Sequence, residues 1–99
     1  MDDTQRKTLR GQAHALQAEL TIGEGGVHEG TIGELQVSLA AKELIKVRFT
    51  TPDRKERKAQ IRELAAATES EVVLTIGKVA TYYREAPPAA EPAPPDALA

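Results

Sequence analysis

Three short segments of this chain alternate apolar and polar side chains, and this pattern limits the fold more than any other feature. Residues 18–22, 43–49 and 71–76 place hydrophobic side chains at every second position, with Glu19, Lys46 and Arg48 among those between. Strands buried on both faces, as in a doubly wound sheet, would be apolar throughout. We therefore expect a sheet with one face covered by helices and the other largely open, and with Val72, Leu74 and Ile76 on the covered face.

Helical spacing precedes each of these strands. The residues that recur at intervals of three and four are Leu9, Ala13 and Leu16, then Ile32, Leu35 and Leu39, and then Ile61, Leu64, Ala65 and Thr68. They predict helices over residues 4–16, over about 28–41, and from residues 51–53 onward. A fourth strand over 79–84 follows Gly77-Lys78, a pair that favours a type II′ hairpin. The order αβαβαββ predicts an α/β two-layer sandwich with a four-stranded mixed sheet.

The charge of the chain is divided between a neutral body and an acidic tail. The 99 residues carry 13 Lys and Arg against 15 Asp and Glu, a net charge of -2. All the basic residues lie within residues 1–85, whereas Glu91 and Asp96 fall in the last 14, together with most of the prolines. We expect one domain over residues 1–85 and a disordered, acidic Pro/Ala-rich tail over 86–99, because such a segment cannot bury enough apolar surface to fold.

Several classes of protein are excluded by what the sequence lacks. It has no cysteine, no apolar run long enough to span a bilayer, and an acidic start unlike a signal peptide, so we expect a cytoplasmic protein without membrane contact. His28-Glu29 begins like a zinc-protease motif, but Ile32 stands where the second histidine is needed. Gly77-Lys78 lacks the earlier glycine of a phosphate-binding P-loop. We predict a non-enzymatic protein with no metal, no cofactor and no small-molecule substrate.

A glycine-rich segment lies between the first strand and the second helix. Gly23, Glu24, Gly25 and Gly26 admit two interpretations. One is a GxxG clamp for a nucleic-acid backbone, as in KH domains, with exposed amides beside a helix N-terminus. The other is a tight turn that needs a positive φ.

Basic residues form clusters within the neutral body. The candidates for contact with a polyanion are Arg6, Lys7, Arg10 and His14 on the first helix, Lys46 and Arg48 on the open sheet face, and Lys78 in the hairpin. Lys55, Lys58 and Arg62 rank lower, because acidic neighbours partly neutralise that run. Segregated charge binds polyanions even at zero net charge. With only three aromatic residues the chain cannot build a stacking platform, so RNA contact would rely on backbone and shape.

The sequence resembles the YhbY family, the stand-alone bacterial form of the CRM domain (chloroplast RNA splicing and ribosome maturation). The segments that carry the resemblance are residues 6–14, 23–26 and 43–47, Asp53-Arg54, Ile76-Gly77-Lys78 and Tyr83-Arg84. The resemblance covers about residues 4–85 and implies a fold similar to the C-terminal domain of translation initiation factor three. It also implies RNA binding through the glycine loop and basic surface, in association with precursors of the large ribosomal subunit.

Two positions depart from the pattern of that family. Glu24 puts a carboxylate where members often carry a basic or neutral residue, which lowers the affinity expected of the loop. His28 stands where a threonine commonly caps the following helix, so we expect a less well capped helix start.

We expect, from the residues and the resemblance together, a monomeric RNA-binding protein that associates with ribosomal RNA of large-subunit precursors and assists ribosome assembly. An alternative of a different class is a protein-interaction module that docks on a ribosomal protein or assembly factor through the open sheet face or the tail.

Overall fold

The computed structural model describes residues 2–23 and 25–85 and confirms the predicted α/β class, element order and mixed sheet. The helices are α1 (Asp3–His14), α2 (Glu29–Lys42) and α3 (Arg54–Thr68), and the strands are β1 (Ala18–Ile22), β2 (Leu44–Phe49), β3 (Glu71–Ile76) and β4 (Val79–Tyr83). The strand order is β1-β2-β4-β3, with β1 parallel to β2 and the other pairs antiparallel. The predicted tail, residues 86–99, and Glu24 lie outside the described residues.

The main core lies between one face of the sheet and the helices α2 and α3. Its fully buried side chains include Ile22, Leu35, Leu39, Ile45, Val47, Phe49, Leu64 and Tyr82. The Tyr82 hydroxyl donates to the carbonyl oxygen of Ile61 at 2.9 Å and so joins β4 to α3. Burial raises the pKa of Tyr82 well above its ordinary value, which keeps this hydroxyl a donor. The alternating pattern therefore defines the core face as predicted in β2 and at Leu20 and Ile22 of β1. The expectation that Ala18 shares this face is wrong, because a register shift in β1 pairs Ala18 with Lys46 on the opposite face.

Helix α1 packs on the opposite face of the sheet, against β3 and β2. Lys46 on that face donates from Nζ to the carbonyl oxygen of Leu16 at 3.0 Å, and Arg10 Nε donates to the carbonyl oxygen of Val73 at 3.3 Å. Leu9 and Ala13 are buried outside the main core. The second face is therefore covered in part, and α1 adds a partial third layer to the two-layer arrangement.

Strand β3 contains an irregularity that changes which side chains face the core. Val72 pairs with Tyr82 on the core face, but the register shifts before Leu74, which pairs with Thr81 on the second face. Ile76 pairs with Val79 on that same face and is 57% exposed. The prediction that Leu74 and Ile76 share the buried face with Val72 is therefore wrong, because a bulge places two residues of β3 opposite one of β4.

The two ends of the sheet differ in which helix termini they carry. β1 and β2 both run toward the start of the next helix, so α2 and α3 begin at the end of the sheet that we name the loop edge. Both helices end at the opposite end, the far edge, where the backbone N–H of Arg84 donates to the carbonyl oxygen of Glu43 at 3.0 Å. Arg84 Nη1 also donates to the carbonyl oxygen of Thr68, the last residue of α3, at 2.7 Å.

Candidate nucleic-acid interface

Three connections meet at the loop edge. They are the glycine loop (residues 23–26), the β2–α3 connection (residues 50–53) and the hairpin turn (residues 77–78). The backbone N–H of Thr50 donates to the carbonyl oxygen of Ile22 at 3.0 Å, and that of Phe49 donates to the carbonyl oxygen of Lys78 at 2.7 Å. These two hydrogen bonds hold the glycine loop and the hairpin turn on either side of the end of β2.

The glycine loop is a tight turn at one of its glycines only. The Gly26 N–H donates to the carbonyl oxygen of Gly23 at 3.0 Å, and Gly26 has a φ of 69°. A Cβ at Gly26 would lie 3.4 Å from Gln60 Nε2. Gly23 and Gly25 have no positive φ, and a Cβ at Gly23 would meet nothing within 4 Å. The turn interpretation thus accounts for Gly26, whereas Gly23 and Gly25 leave a smooth backbone that a ligand can approach closely.

The helix that follows the glycine loop is well capped. His28 Nδ1 accepts from the Gly30 N–H at 3.1 Å, and Thr31 Oγ accepts from the His28 N–H at 3.0 Å. The expectation of a weaker cap is therefore wrong, because the imidazole takes the place of a threonine hydroxyl. α3 is capped by Asp53, which accepts from the Lys55 N–H at 3.0 Å. Two helix N-termini, each with a partial positive charge, thus lie at the loop edge.

Basic side chains of α3 share the loop edge with the hairpin turn; sequence reasoning ranked Lys58 low and did not single out Arg54 and Arg57 as contacts. Arg54, Arg57 and Lys58 line a cavity of about 330 Å³ together with Gly77. Arg57 Nη1 also donates to the carbonyl oxygen of Thr51 at 2.9 Å and fixes the β2–α3 connection. The signal that could have found these residues was topological: helices that follow parallel neighbouring strands begin at the same edge.

Arg48, predicted on the open sheet face, and Lys78, predicted in the hairpin, both lie at the loop edge and are exposed. Arg48 pairs with Val79, directly beside the hairpin turn. Lys46 is half-buried, and its ammonium is engaged by the hydrogen bond to the carbonyl oxygen of Leu16, which lies just after α1. Of the three basic residues predicted on β2 and the hairpin, two are therefore available beside the glycine loop.

The basic residues of α1 are not brought beside the glycine loop. Arg6 Nη2 lies 3.8 Å from a carboxylate oxygen of Glu71, at the far edge, and Arg10 Nε donates a hydrogen bond to the carbonyl oxygen of Val73. Lys7 and His14 are exposed on the same helix. The length of β2 separates the two ends of the sheet by roughly 17–20 Å. A role for Arg6, Lys7, Arg10 and His14 in RNA binding therefore stays a prediction, as a second basic surface.

The far edge is acidic. Four glutamates lie there: Glu43, Glu69, Glu71 and Glu85. Burial and the charges of Glu85 and Glu43 raise the pKa of Tyr83, which ends β4 at this edge. The far edge is therefore less favourable for a polyanion than the loop edge, where basic side chains outnumber the described acidic ones, Glu29, Asp53 and Glu56.

Within residues 2–23 and 25–85 no helix is long and apolar enough to cross a membrane. No group of three or more His, Cys, Asp or Glu side chains in the same residues is arranged to hold a metal ion.

Comparison with known proteins places these features in a family. The sequence matches the CRS1 / YhbY (CRM) domain over residues 1–84. It is 39% identical over 83 residues to the probable RNA-binding protein PA4753 of Pseudomonas aeruginosa, covering 84% of this chain and 80% of that protein. It is 32% identical over 81 residues to the probable RNA-binding protein YqeI of Bacillus subtilis, covering 82% and 84% of the two chains.

A solved structure supports the fold. The solution structure of SAV1595 from Staphylococcus aureus, described as a candidate RNA-binding protein, matches with a TM-score of 0.76 at 33% sequence identity. The match covers 88% of this chain and 91% of that one.

Proposed function

This chain belongs to the CRS1 / YhbY (CRM) domain family, and from that premise we propose that it binds structured RNA at the loop edge. The observation that carries the proposal is the gathering of an exposed glycine backbone, two helix N-termini and basic side chains at one end of the sheet. The basic residues there are Arg48, Arg54, Lys58 and Lys78. Relatives that cover most of the chain bear names of RNA-binding proteins, which supports the same conclusion.

The chemistry proposed for this edge is recognition of phosphates. Gly23 and Gly25 let a phosphodiester approach the backbone, and the N-termini of α2 and α3 favour its negative charge. The guanidinium and ammonium groups of Arg54 and Lys58 add charge-assisted hydrogen bonds on the neighbouring helix. Such bonds position an RNA but do not read its bases, so specificity would come mainly from RNA shape. No step of this mechanism needs a metal, a cofactor or a catalytic group.

The first test is the salt dependence of RNA binding. We expect the affinity for a hairpin of large-subunit ribosomal RNA, measured by fluorescence anisotropy, to fall steeply between about 50 and about 200 mM salt. Replacing Arg54 and Lys58 together by glutamine should make the slope of log K against log salt shallower by about 0.7–0.9 for each phosphate that is no longer neutralised. An affinity that does not change with salt would contradict phosphate recognition.

We further propose that the RNA partner is ribosomal RNA in precursors of the large subunit, that the protein acts there as a cytoplasmic monomer, and that it assists assembly. The resemblance of residues 4–85 to the YhbY family supports this finer statement. The test is gradient sedimentation of tagged protein from cells impaired in ribosome assembly. We expect the protein to sediment with large-subunit particles. Recovery only at the top of the gradient would contradict the assembly role, but it would leave the proposal of RNA binding intact.

A further inference from the structure

The part of the second sheet face that α1 leaves uncovered holds a groove of about 600 Å³. Its aliphatic wall is formed by Leu74, Ile76 and Val79, the side chains that the β3 irregularity and the hairpin place on this face. The connection between α1 and β1 closes the groove at Leu16 and Gln17. The irregularity in β3 thus exchanges two core positions for an apolar surface open to solvent.

A hydroxyl without a partner lies in this groove. Thr81 lines it and is only 1% exposed, yet its side chain has no hydrogen bond to any other residue among 2–23 and 25–85. Buried hydroxyls nearly always have a partner, because desolvation without one is costly. By contrast, the other fully buried threonine, Thr68, donates to the carbonyl oxygen of Leu64 at 2.8 Å. Because Thr81 lines the groove, the missing hydrogen-bond partner of its hydroxyl would be a ligand bound there.

The charge of the groove indicates what kind of ligand that is. The two charged side chains among its described lining residues, Lys46 and Arg48, are both basic. Arg48 lies at the end of the groove next to the hairpin turn, so the groove opens onto the loop edge without a break. An occupant must therefore combine an apolar, hydrogen-bonding body with a nearby negative charge, and must already be present at the loop edge.

We propose that this groove binds one unpaired nucleobase of the RNA held at the loop edge. The inference rests on the proposed RNA binding and adds a site at which a base, and not only the phosphate backbone, is contacted. The base lies against the aliphatic wall, an edge polar atom of the base bonds to the Thr81 hydroxyl, and Arg48 contacts the phosphate of the same nucleotide. A single groove of this kind needs no aromatic platform, which the chain cannot provide.

The test compares single-stranded and duplex RNA by methyl NMR. The probes are four homohexanucleotides, one for each RNA base, and a duplex formed by a self-complementary hexanucleotide. We expect the single strands to shift the methyl resonances of Leu74, Ile76 and Val79, and the duplex to shift only the amides of the glycine loop and the α3 start. Shifts of the groove methyls by both RNAs alike, or by neither, would overturn the base site.

The hydroxyl is tested by Thr81→Val, which keeps the shape and removes the bonding group. We expect affinity for the best single strand to fall by about 3–10-fold, with duplex affinity unchanged. The matched control is Thr8→Val, an exposed threonine of α1 that lines neither the groove nor the cavity at the loop edge, and it should change neither affinity. The melting temperature of Thr81→Val should equal or exceed that of the parent chain; a marked fall would show that the hydroxyl has a structural partner and would overturn the inference.

Failure of this inference is distinguishable from failure of the proposed function. If neither RNA shifts the glycine-loop amides, the RNA-binding proposal fails and the base site with it. If the loop amides shift but the groove methyls do not, RNA binding stands and the groove belongs to another occupant, such as a protein partner.

Discussion

The loop edge and the far edge are both built from the ends of the sheet strands and of the helices α2 and α3, but they differ in charge and in backbone character. The loop edge carries helix N-termini, glycines and the exposed cations Arg54, Lys58 and Lys78. The far edge carries the C-termini of α2 and α3 and a group of glutamates. The difference teaches that the zero net charge of residues 1–85 says little about partners, because the fold leaves an excess of basic side chains at the loop edge in spite of Glu29, Asp53 and Glu56 there.

At the far edge, Arg84 has a structural role. Arg84 donates to the Gln36 side chain and to the carbonyl oxygen of Thr68, and so ties the end of β4 to both α2 and α3. The loop edge leaves Lys78 and Lys58 exposed. We therefore interpret the far edge as stabilising the fold and the loop edge as the proposed binding site, and each of the following variants tests that division.

The largest effect is expected from Arg84→Met. Removal of its charge-assisted hydrogen bonds should lower the free energy of unfolding by about 2–3 kcal/mol, measured by urea denaturation. RNA affinity of the folded fraction should be unchanged, because the proposed RNA site lies at the loop edge. A variant that keeps its stability but no longer binds RNA would reverse the roles assigned to the two ends.

Gly26→Ala should lower the free energy of unfolding by about 1–2 kcal/mol, because its φ of 69° is unfavourable for a residue with a Cβ. The matched control is Gly23→Ala in the same loop, where the added Cβ meets open space and φ is not positive. We expect that control to change stability by less than about 0.5 kcal/mol. Equal decreases from the two variants would contradict the assignment of the turn to Gly26 alone.

Lys58→Glu should weaken binding to ribosomal RNA about tenfold, near 1.4 kcal/mol, because one phosphate is no longer neutralised. Lys7→Glu changes an equally exposed helix lysine outside the loop edge and should weaken binding less than about threefold. Both affinities are measured by fluorescence anisotropy at the same salt. The opposite order would make α1 the principal basic surface, as the sequence alone suggested.

The smallest effect is a gain in stability at the far edge. Glu69 ends α3 with a φ of 53°, and Glu69→Gly should raise the free energy of unfolding by about 0.5–1 kcal/mol. Glu69→Ala removes the same charge from the helix C-terminus but keeps a Cβ, so it should gain less. Equal gains in urea denaturation would show that charge, and not backbone conformation, limits stability there.

Local patterns predicted most of the fold. The alternation in β2 and over Leu20–Ile22 in β1, and the positive φ at Gly77 that a type II′ turn requires, were expected from the sequence. The irregularity in β3 was not, because Val72, Leu74 and Ile76 keep perfect apolar alternation. Only pairing with β4 shows that the register shifts between them.

The candidate site was less predictable than the fold. The glycine loop could be recognised, but its basic neighbours could not be ranked, because a helical wheel compares residues within one helix and not between helices. Glu56 and Glu63 neutralise the α3 run along the sequence, yet the fold places Arg54 and Lys58 next to the hairpin turn. The cap formed by His28 was missed because an imidazole nitrogen rarely replaces a hydroxyl in that role.

The common direction of α2 and α3 has a consequence for the kinetics of association. Their aligned dipoles add to the excess of basic side chains at the loop edge, so residues 2–23 and 25–85 carry a dipole that points along the sheet in spite of the zero net charge of residues 1–85. In the field of an RNA such a molecule experiences a torque before the two touch, which turns the glycine loop toward the phosphates. A protein with no net attraction at long range would thus still arrive in the productive orientation, and its association rate would fall with rising salt.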